Sequence, residues 1–353
     1  MELSHKLAII GYGGMGIWHH ENVAEKISAI QVKGAYDIRE EAREKAADNG
    51  LKVYQSPEDL FSDPEIDIVT VATPNNFHKD YIIAGLRAEK AVISEKPVTL
   101  NSAELEEIIA VQKETGMLFS IHQNRRWDRD YRIIKKILSS GRVGKPYFIE
   151  SRVQGSRGSM HGWRGHKING GGMLLDWGVH LLDQMLRLVD APVVSVYAHM
   201  FSIFTPGVDD NIKLFLRFGN NVSAVLEMAT NCFINLPRWH VSCESGTVVI
   251  NGWDCDGKIV QLKADGEMTW EDDIVYTEAG PTRTMAPRSP GTTAVLPLPD
   301  TKTDWTEYYK NIVDVLDNGA ELLVKPEQAL RVMNIIDLLF ESEETGKSIS
   351  CEI

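Results

Sequence analysis

At 353 residues the chain exceeds what one ordinary hydrophobic core fills, so two domains are expected. Its 43% apolar and 25% charged residues are those of a globular protein. A net charge of −13 argues against a general binder of nucleic acid or of an anionic membrane surface.

The N-terminal Met1–Lys6 runs straight into a strand-like Leu7–Ile10 with no long apolar segment, so neither a signal peptide nor a membrane span is expected. Buried strands are predicted at Leu7–Ile10, Gln31–Tyr36, Ile66–Ala72, Ala91–Ser94 and Met117–His122, with helices at Lys79–Arg87 and Ala103–Thr115. Strands alternating with helices imply a parallel sheet covered on both faces. Beyond about residue 145 the apolar period becomes two, at Tyr147–Val153, Val193–Phe204, Ile212–Phe218 and Val222–Thr230, with Gly219-Asn220-Asn221 as a hairpin turn. Trp239–Glu244, Thr247–Ile250 and Ile259–Lys263 continue a mostly antiparallel sheet, interrupted early by a glycine-led helix over 172–188. Residues 279–303 read as a long loop, and two helices follow at 304–317 and 326–345. The expected architecture is a doubly wound α/β domain (1–122) and an α+β domain (123–353) with a mostly antiparallel sheet. Cys232, Cys243, Cys255 and Cys351 lack CxxC spacing and fit free thiols in a reducing cytoplasm.

Gly11-Tyr-Gly13-Gly14-Met15-Gly16 follows the first strand and opens a helix. In that setting G-x-G-x-x-G is a dinucleotide fingerprint: Gly11 permits the turn, Gly13 admits a pyrophosphate, and Gly16 allows close packing. Asp37 ends the second strand 21 residues beyond Gly16, where a ribose-binding acid belongs. Its carboxylate would accept from a 2′-hydroxyl and repel a 2′-phosphate, which favours NAD over NADP. Arg39 could offset this, and another nucleotide such as S-adenosylmethionine is the alternative. Ile38 adjoins the same site.

Asp176 and His180, four apart on the helix after Gly170-Gly171-Gly172, share one helical face as an acid–imidazole pair. His19-His20 do not suggest a metal, since adjacent helical residues diverge. His161 and His166 lack zinc spacing, so no metal site is expected.

Together Gly11–Gly16, Thr73-Pro74-Asn75-Asn76-Phe77-His78, Glu95-Lys96-Pro97, Gly170–Asp183 and the closing Glu344-Thr-Gly-Lys347 resemble the glucose–fructose oxidoreductase/inositol dehydrogenase/MocA-like family. Gln123-Asn-Arg-Arg-Trp-Asp128 is similar to a subgroup containing scyllo-inositol dehydrogenases. The resemblance implies that Lys96, Asp176 and His180 are catalytic, and that Thr73, Pro74, Asn76 and His78 line the cofactor. It also puts Glu95 and Lys96 near the nicotinamide ribose, Asn124 near the ring, and Trp163 and Arg164 at the cofactor–substrate junction. A Rossmann first domain, a second domain with a large open sheet whose last helices can pack back on the first, and dimers or tetramers through that sheet are implied too.

Lys96, aimed from a strand end by the proline that follows, can stabilise an alkoxide while His180 takes the hydroxyl proton and Asp176 orients His180 or binds substrate. The lysine and histidine roles are exchangeable at this level. Arg126, Trp127, Trp163 and Lys167 are expected at the substrate, where indole faces suit sugar CH patches. The function these features imply is hydride transfer between a secondary alcohol of a sugar or cyclic polyol and NAD. A redox-assisted glycoside-cleaving enzyme and a non-catalytic NAD-binding regulator are the alternatives.

Overall fold

A computed structural model describes residues 5–263, 273–284 and 291–353. Six parallel strands build the first sheet: β1 (His5–Ile10), β2 (Ile30–Tyr36), β3 (Lys52–Val53), β4 (Ile68–Val71), β5 (Ala91–Ser94) and β6 (Phe119–Ile121). Their order is β3-β2-β1-β4-β5-β6, so the chain reverses direction across the sheet beside β1. Such a reversal opens a crevice at the strand C-termini. The crossover helices are α1 (Gly14–Lys26), α2 (Glu40–Asp48), α3 (Pro57–Phe61), α4 (His78–Arg87) and α5 (Ser102–Thr115). Local chemistry sets their ends. Asn101 caps α5 by accepting from the Glu104 amide, Glu104 reaches back to the Leu100 amide, and Gly116 closes the helix at φ +68°. β4 and β5 are wholly buried, which is why they read as continuous apolar runs.

After α6 (Arg129–Ser139) comes β7 (Pro146–Gln154), then α7 (Val179–Leu188), β8 (Val193–Phe201), β9 (Asn211–Phe218), β10 (Ser223–Ala229), β11 (Trp239–Cys243), β12 (Gly246–Ile250) and β13 (Gly257–Leu262). A short hairpin, β14 (Asp273–Thr277) and β15 (Gly280–Thr284), precedes β16 (Thr293–Leu296). The chain ends through α8 (Thr306–Asn318), α9 (Pro326–Thr345) and β17 (Ile349–Ser350). The second sheet has nine strands in the order β16-β13-β12-β11-β7-β10-β9-β8-β17. It is antiparallel except where β7 and β10 run parallel. β9 shows its design: Ile212, Leu214, Leu216 and Phe218 are buried, while Lys213, Phe215 and Arg217 are exposed. Residues 279–303 are not one loop as expected. They contribute β15 and β16, and the latter pairs with the sheet edge at β13; residues 285–290 of that span lie outside the described residues. No described helix is long and apolar enough to cross a membrane.

α8 and α9 return to the first sheet. Tyr309 of α8 is buried against His19 of α1, Tyr308 is buried against His122 just beyond β6, and α9 packs on α5 and β6. Two residues expected at the substrate belong to this junction. Arg126 is buried in a bidentate pair with Asp183 of α7 (2.7 and 2.5 Å) and also donates to the Leu323 carbonyl and Gln328. Trp127 is 5% exposed, and its Nε1 donates to Glu307 of α8 at 2.7 Å. Both side chains are thus spent on holding helices together. Their position beside the site misled the sequence reading, because an arginine or tryptophan there looks the same whether it faces ligand or core.

Removing Arg126 would leave Asp183 as an uncompensated buried charge. Arg126→Ala is expected to lower unfolding free energy by about 3–5 kcal/mol in chemical denaturation. A loss below about 1 kcal/mol would contradict this assignment.

Candidate active site

A cavity of about 850 Å³ lies across the C-terminal ends of β1, β4 and β5. At one end are Gly11, Gly13, Gly14 and Met15 from the turn after β1. A Cβ on Gly11 (φ +93°) would sit 2.7 Å from the Ala72 carbonyl group, so only glycine lets these two strand ends approach. Gly16 lies beneath the cavity wall rather than on it: a Cβ there would meet the Gly11 oxygen at 2.1 Å. Asp37, Ile38 and Arg39 line the same end. Asp37 accepts from the Tyr12 amide (2.9 Å), the Arg39 amide (2.9 Å) and the Arg39 guanidinium (3.1 Å twice). Burial pushes its carboxyl up, but Arg39 and these amides outweigh that and hold it below the usual carboxylate range.

Thr73 and Pro74 line the middle, together with Asn75, Phe77 and Tyr81, which the sequence reading did not single out as cavity walls. Asn76 and His78 are not on the wall. His78 is fully buried, with Nδ1 bonded to the Pro97 oxygen and Nε2 to the Thr73 oxygen. It ties the loop after β4 to the loop after β5. Asn75 makes the cross-domain bond instead, donating to the Gly170 carbonyl at 2.9 Å.

Glu95, Lys96, Asn124, Arg125, Trp163, Arg164, Asp176, Trp177 and His180 form the other end. Lys96 Nζ donates to the backbone oxygen (2.8 Å) and Oδ1 (2.9 Å) of Asp176. Arg164, stacked 4.5 Å over Trp163, approaches the same Oδ1 at 3.2 Å. Burial raises the Asp176 carboxyl, yet the two cations prevail and keep it below its ordinary value. Asp176 therefore does not orient His180. That role falls to Gln123, whose Oε1 lies 3.1 Å from His180 Nδ1. With the proton held on Nδ1, Nε2 keeps the lone pair. Burial, then Lys96 and Arg125, push the His180 imidazole well below its ordinary pKa, so the ring is neutral at pH 7. Lys167 faces a separate cavity of about 490 Å³, lined also by Leu100, Phe201 and Asp209.

The segment carrying Asp176 is anchored from behind. Leu174–Gly178 form a π-helical turn running into α7. Asp209 Oδ2 accepts from the Leu174 amide (2.7 Å), and its backbone oxygen accepts from the Met173 amide (2.8 Å). A Cβ on Gly172 (φ +107°) would lie 2.2 Å from Asp209 Oδ1, which explains the third glycine of the run. Burial raises the Asp209 carboxyl to about 6, against the pull of these amides. Asp209 was not foreseen, since it lies 33 residues from Asp176 in an unremarkable turn.

Glu95 Oε1 accepts from His19 Nε2 (2.9 Å) and His122 Nδ1 (2.8 Å), which joins α1 to the residues just beyond β5 and β6. Such a trio could hold an ion, but the hydrogen bonds account for its arrangement without one. Sequence spacing could not bring them together.

The fit to a dinucleotide rests on two observations. Gly13 and Gly14 leave an open cradle in which no heavy atom comes closer than 3.5 Å to an added Cβ. Thr73 Oγ1, on the cavity wall, is buried with no hydrogen-bond partner among the described residues.

Comparison with known proteins agrees. Residues 5–123 match the oxidoreductase family with NAD-binding Rossmann fold (GFO/IDH/MocA), and residues 131–249 match the GFO/IDH/MocA C-terminal domain. The chain belongs to this family of oxidoreductases. It is 27% identical over 352 residues to the scyllo-inositol 2-dehydrogenase (NADP(+)) IolW of Bacillus subtilis, covering 98% of this chain and 96% of that one. It is 31% identical over 229 residues to a myo-inositol 2-dehydrogenase of Thermotoga maritima, covering 63% and 67%. Among solved structures, an NAD-binding protein from Listeria innocua superposes with TM-score 0.91 at 42% identity over 99% of both chains.

Two outcomes test this geometry. Gln123→Leu frees the His180 tautomer and is expected to lower kcat about 10–100-fold with little change in KM, while Gln123→Glu moves the acid limb of kcat to higher pH by stabilising the imidazolium. An unmoved pH profile in Gln123→Glu would dismiss the contact. Asp209, whose folded pKa is raised, contributes stability that is complete below its unfolded pKa and is lost as pH rises to about 6. The stability difference between wild type and Asp209→Asn, followed by denaturation, should therefore change between about pH 4 and 6 and be flat above about 7.

Proposed function

We propose that this protein is an NAD(P)-dependent dehydrogenase that oxidises a secondary alcohol of a sugar or cyclic polyol, or reduces the corresponding ketone. The observation that carries this reading is the convergence of Lys96, Asp176 and His180 at the far end of a dinucleotide-shaped cavity. The inositol dehydrogenases among its relatives support the substrate class. Gly11, Gly13, Gly14 and Met15 would hold the pyrophosphate, Asp37 and Ile38 the adenosine ribose, Thr73 and Pro74 the middle, and Asn124, Trp163 and Arg164 the nicotinamide half. A bound nicotinamide supplies the hydride acceptor.

The residues then divide the proton chemistry. His180 Nε2, neutral and aimed by Gln123, takes the hydroxyl proton. Lys96, held in place by Asp176, donates to the oxygen as negative charge builds on it. Asp176 also offsets one of the two positive charges of Lys96 and Arg164 before substrate arrives, which lowers the cost of holding two cations in a half-enclosed site. With Arg126 and Trp127 in the core, and Lys167 on another cavity, substrate recognition rests on Arg125, Trp163, Arg164 and Trp177.

We favour NAD over NADP because Asp37 is ionised and faces the cavity. Arg39, with a side chain 60% exposed, is the residue that would turn toward a 2′-phosphate, and IolW is an NADP enzyme. We also infer assembly as a homodimer or homotetramer through the open sheet, where Tyr197 and Phe215 pair on the exposed face. All four cysteines are free, in keeping with a cytoplasmic enzyme.

Purified protein given NAD or NADP and a panel of inositols and sugars should produce reduced nicotinamide with at least one of them. Lys96→Met and His180→Ala should each lower kcat by about 10²-fold or more. Full turnover in either variant would rule out the mechanism.

A further inference from the structure

Glu95 is an anion that the reaction above does not use. It is 6% exposed, yet lines the cofactor cavity next to Lys96. A buried carboxylate is costly unless it is well hydrogen-bonded, and this one accepts from His19, His122 and the Lys96 amide (3.2 Å). The bonds also settle where the negative charge resides. His19 gives its Nε2 proton to Glu95 while its Nδ1 accepts from the Tyr309 hydroxyl, so both nitrogens are satisfied by a neutral ring. His122 gives its Nδ1 proton to Glu95. Its Nε2 has no partner among the described residues. Both rings thus point an N–H at the same carboxylate oxygen. Burial works against ionisation, but the two histidines keep the carboxyl well below its ordinary value. Tyr308 packs edge-on against His122, and Tyr309 against His19, sealing the group from behind.

The cavity has a direction. The glycine turn and Asp37 occupy one end, and Glu95 and Lys96 stand at the other, where the nicotinamide half of a dinucleotide would extend. The oxidised ring is cationic and the reduced ring is neutral. The other charges there leave one cation in excess, since Lys96 and Arg164 share Asp176 while Arg125 pairs with Asp128, and Glu95 supplies the negative charge that offsets it.

We propose that Glu95, held ionised by His19 and His122, sets the preference of this site for the oxidised over the reduced cofactor. This rests on the reading of the cavity as a nicotinamide dinucleotide site. The charge thereby eases dissociation of the reduced cofactor relative to the oxidised one, because the neutral ring lacks the attraction that the cationic ring feels. Glu95 is a positioning charge and exchanges no proton with substrate.

The test is binding. Dissociation constants of the oxidised and reduced forms of whichever cofactor binds more tightly, NAD or NADP, are measured by calorimetry and nicotinamide fluorescence. Wild type is expected to bind the oxidised form at least as tightly as the reduced form. Glu95→Gln should weaken the oxidised form about tenfold relative to the reduced form, as removal of a nearby charge in a partly desolvated site requires. Glu95→Asp, which keeps the charge, should keep the preference. An unchanged ratio in Glu95→Gln overturns the proposal. If Glu95→Gln does not fold, wild type decides: a reduced form bound tenfold more tightly than the oxidised form overturns it too. Failure of wild type to bind either dinucleotide would instead overturn the functional reading itself.

Discussion

The contact on which the site depends is the ion pair between Lys96, just beyond β5, and Asp176, on the turn leading into α7. One partner comes from the parallel sheet and the other from the second domain, so the pair exists only when the two units are docked. Half-buried charges of this kind are costly apart and acceptable together. Arg164 makes the same bargain with Asp176, and Arg126 with Asp183 deeper in the junction. The cavity is therefore bounded by charges that already have partners before any ligand arrives, with Asp176 serving two of them. What remains unmatched is specific: the Thr73 hydroxyl, the glycine cradle, and the Nε2 of a neutral His180.

Much of this was legible in the sequence, and the reasons are physical. Gly11, Gly13 and Gly16 are readable because their roles depend on having no side chain. Asp37 is readable because the distance along a β-α-β unit is nearly fixed. β4 and β5 are readable because parallel strands are buried on both faces. What could not be read depends on contacts between distant segments. His78 follows Asn76 by two residues, yet one is a buried strut and the other is absent from the cavity wall. Arg125 and Arg126 are neighbours, but Arg125 stacks on Trp177 at the cavity while Arg126 is locked to Asp183. Gln123 reads as an ordinary polar residue until α7 brings His180 against it. Residues 279–303 looked like loop because Pro, Ser, Thr and Gly dominate there, yet pairing at the sheet edge drew β16 out of it.

The exposed face of the second sheet repeats the habit of pairing charge in advance. Glu227 receives both Arg152 (3.1 Å) and Lys213 (2.9 Å), and Glu150 receives Arg152, with the His240 ring 2.9 Å from it. The row crosses β9, β10, β7 and β11. A sheet face laced this way resists indiscriminate edge or face sticking, while the Tyr197–Phe215 pair nearby offers apolar area.

The return of α8 and α9 to the first sheet has a mechanical consequence. The polypeptide joins the two units at two separate places, once after β6 and again through α8, so they are tied like a door hung on two non-collinear hinges. Swinging them apart would tear Tyr308 and Tyr309 from beneath Glu95 and strip Trp127 from Glu307. The rim is built differently: Trp163 and Arg164 ride on a short single turn at 162–165, outside the doubly tied junction.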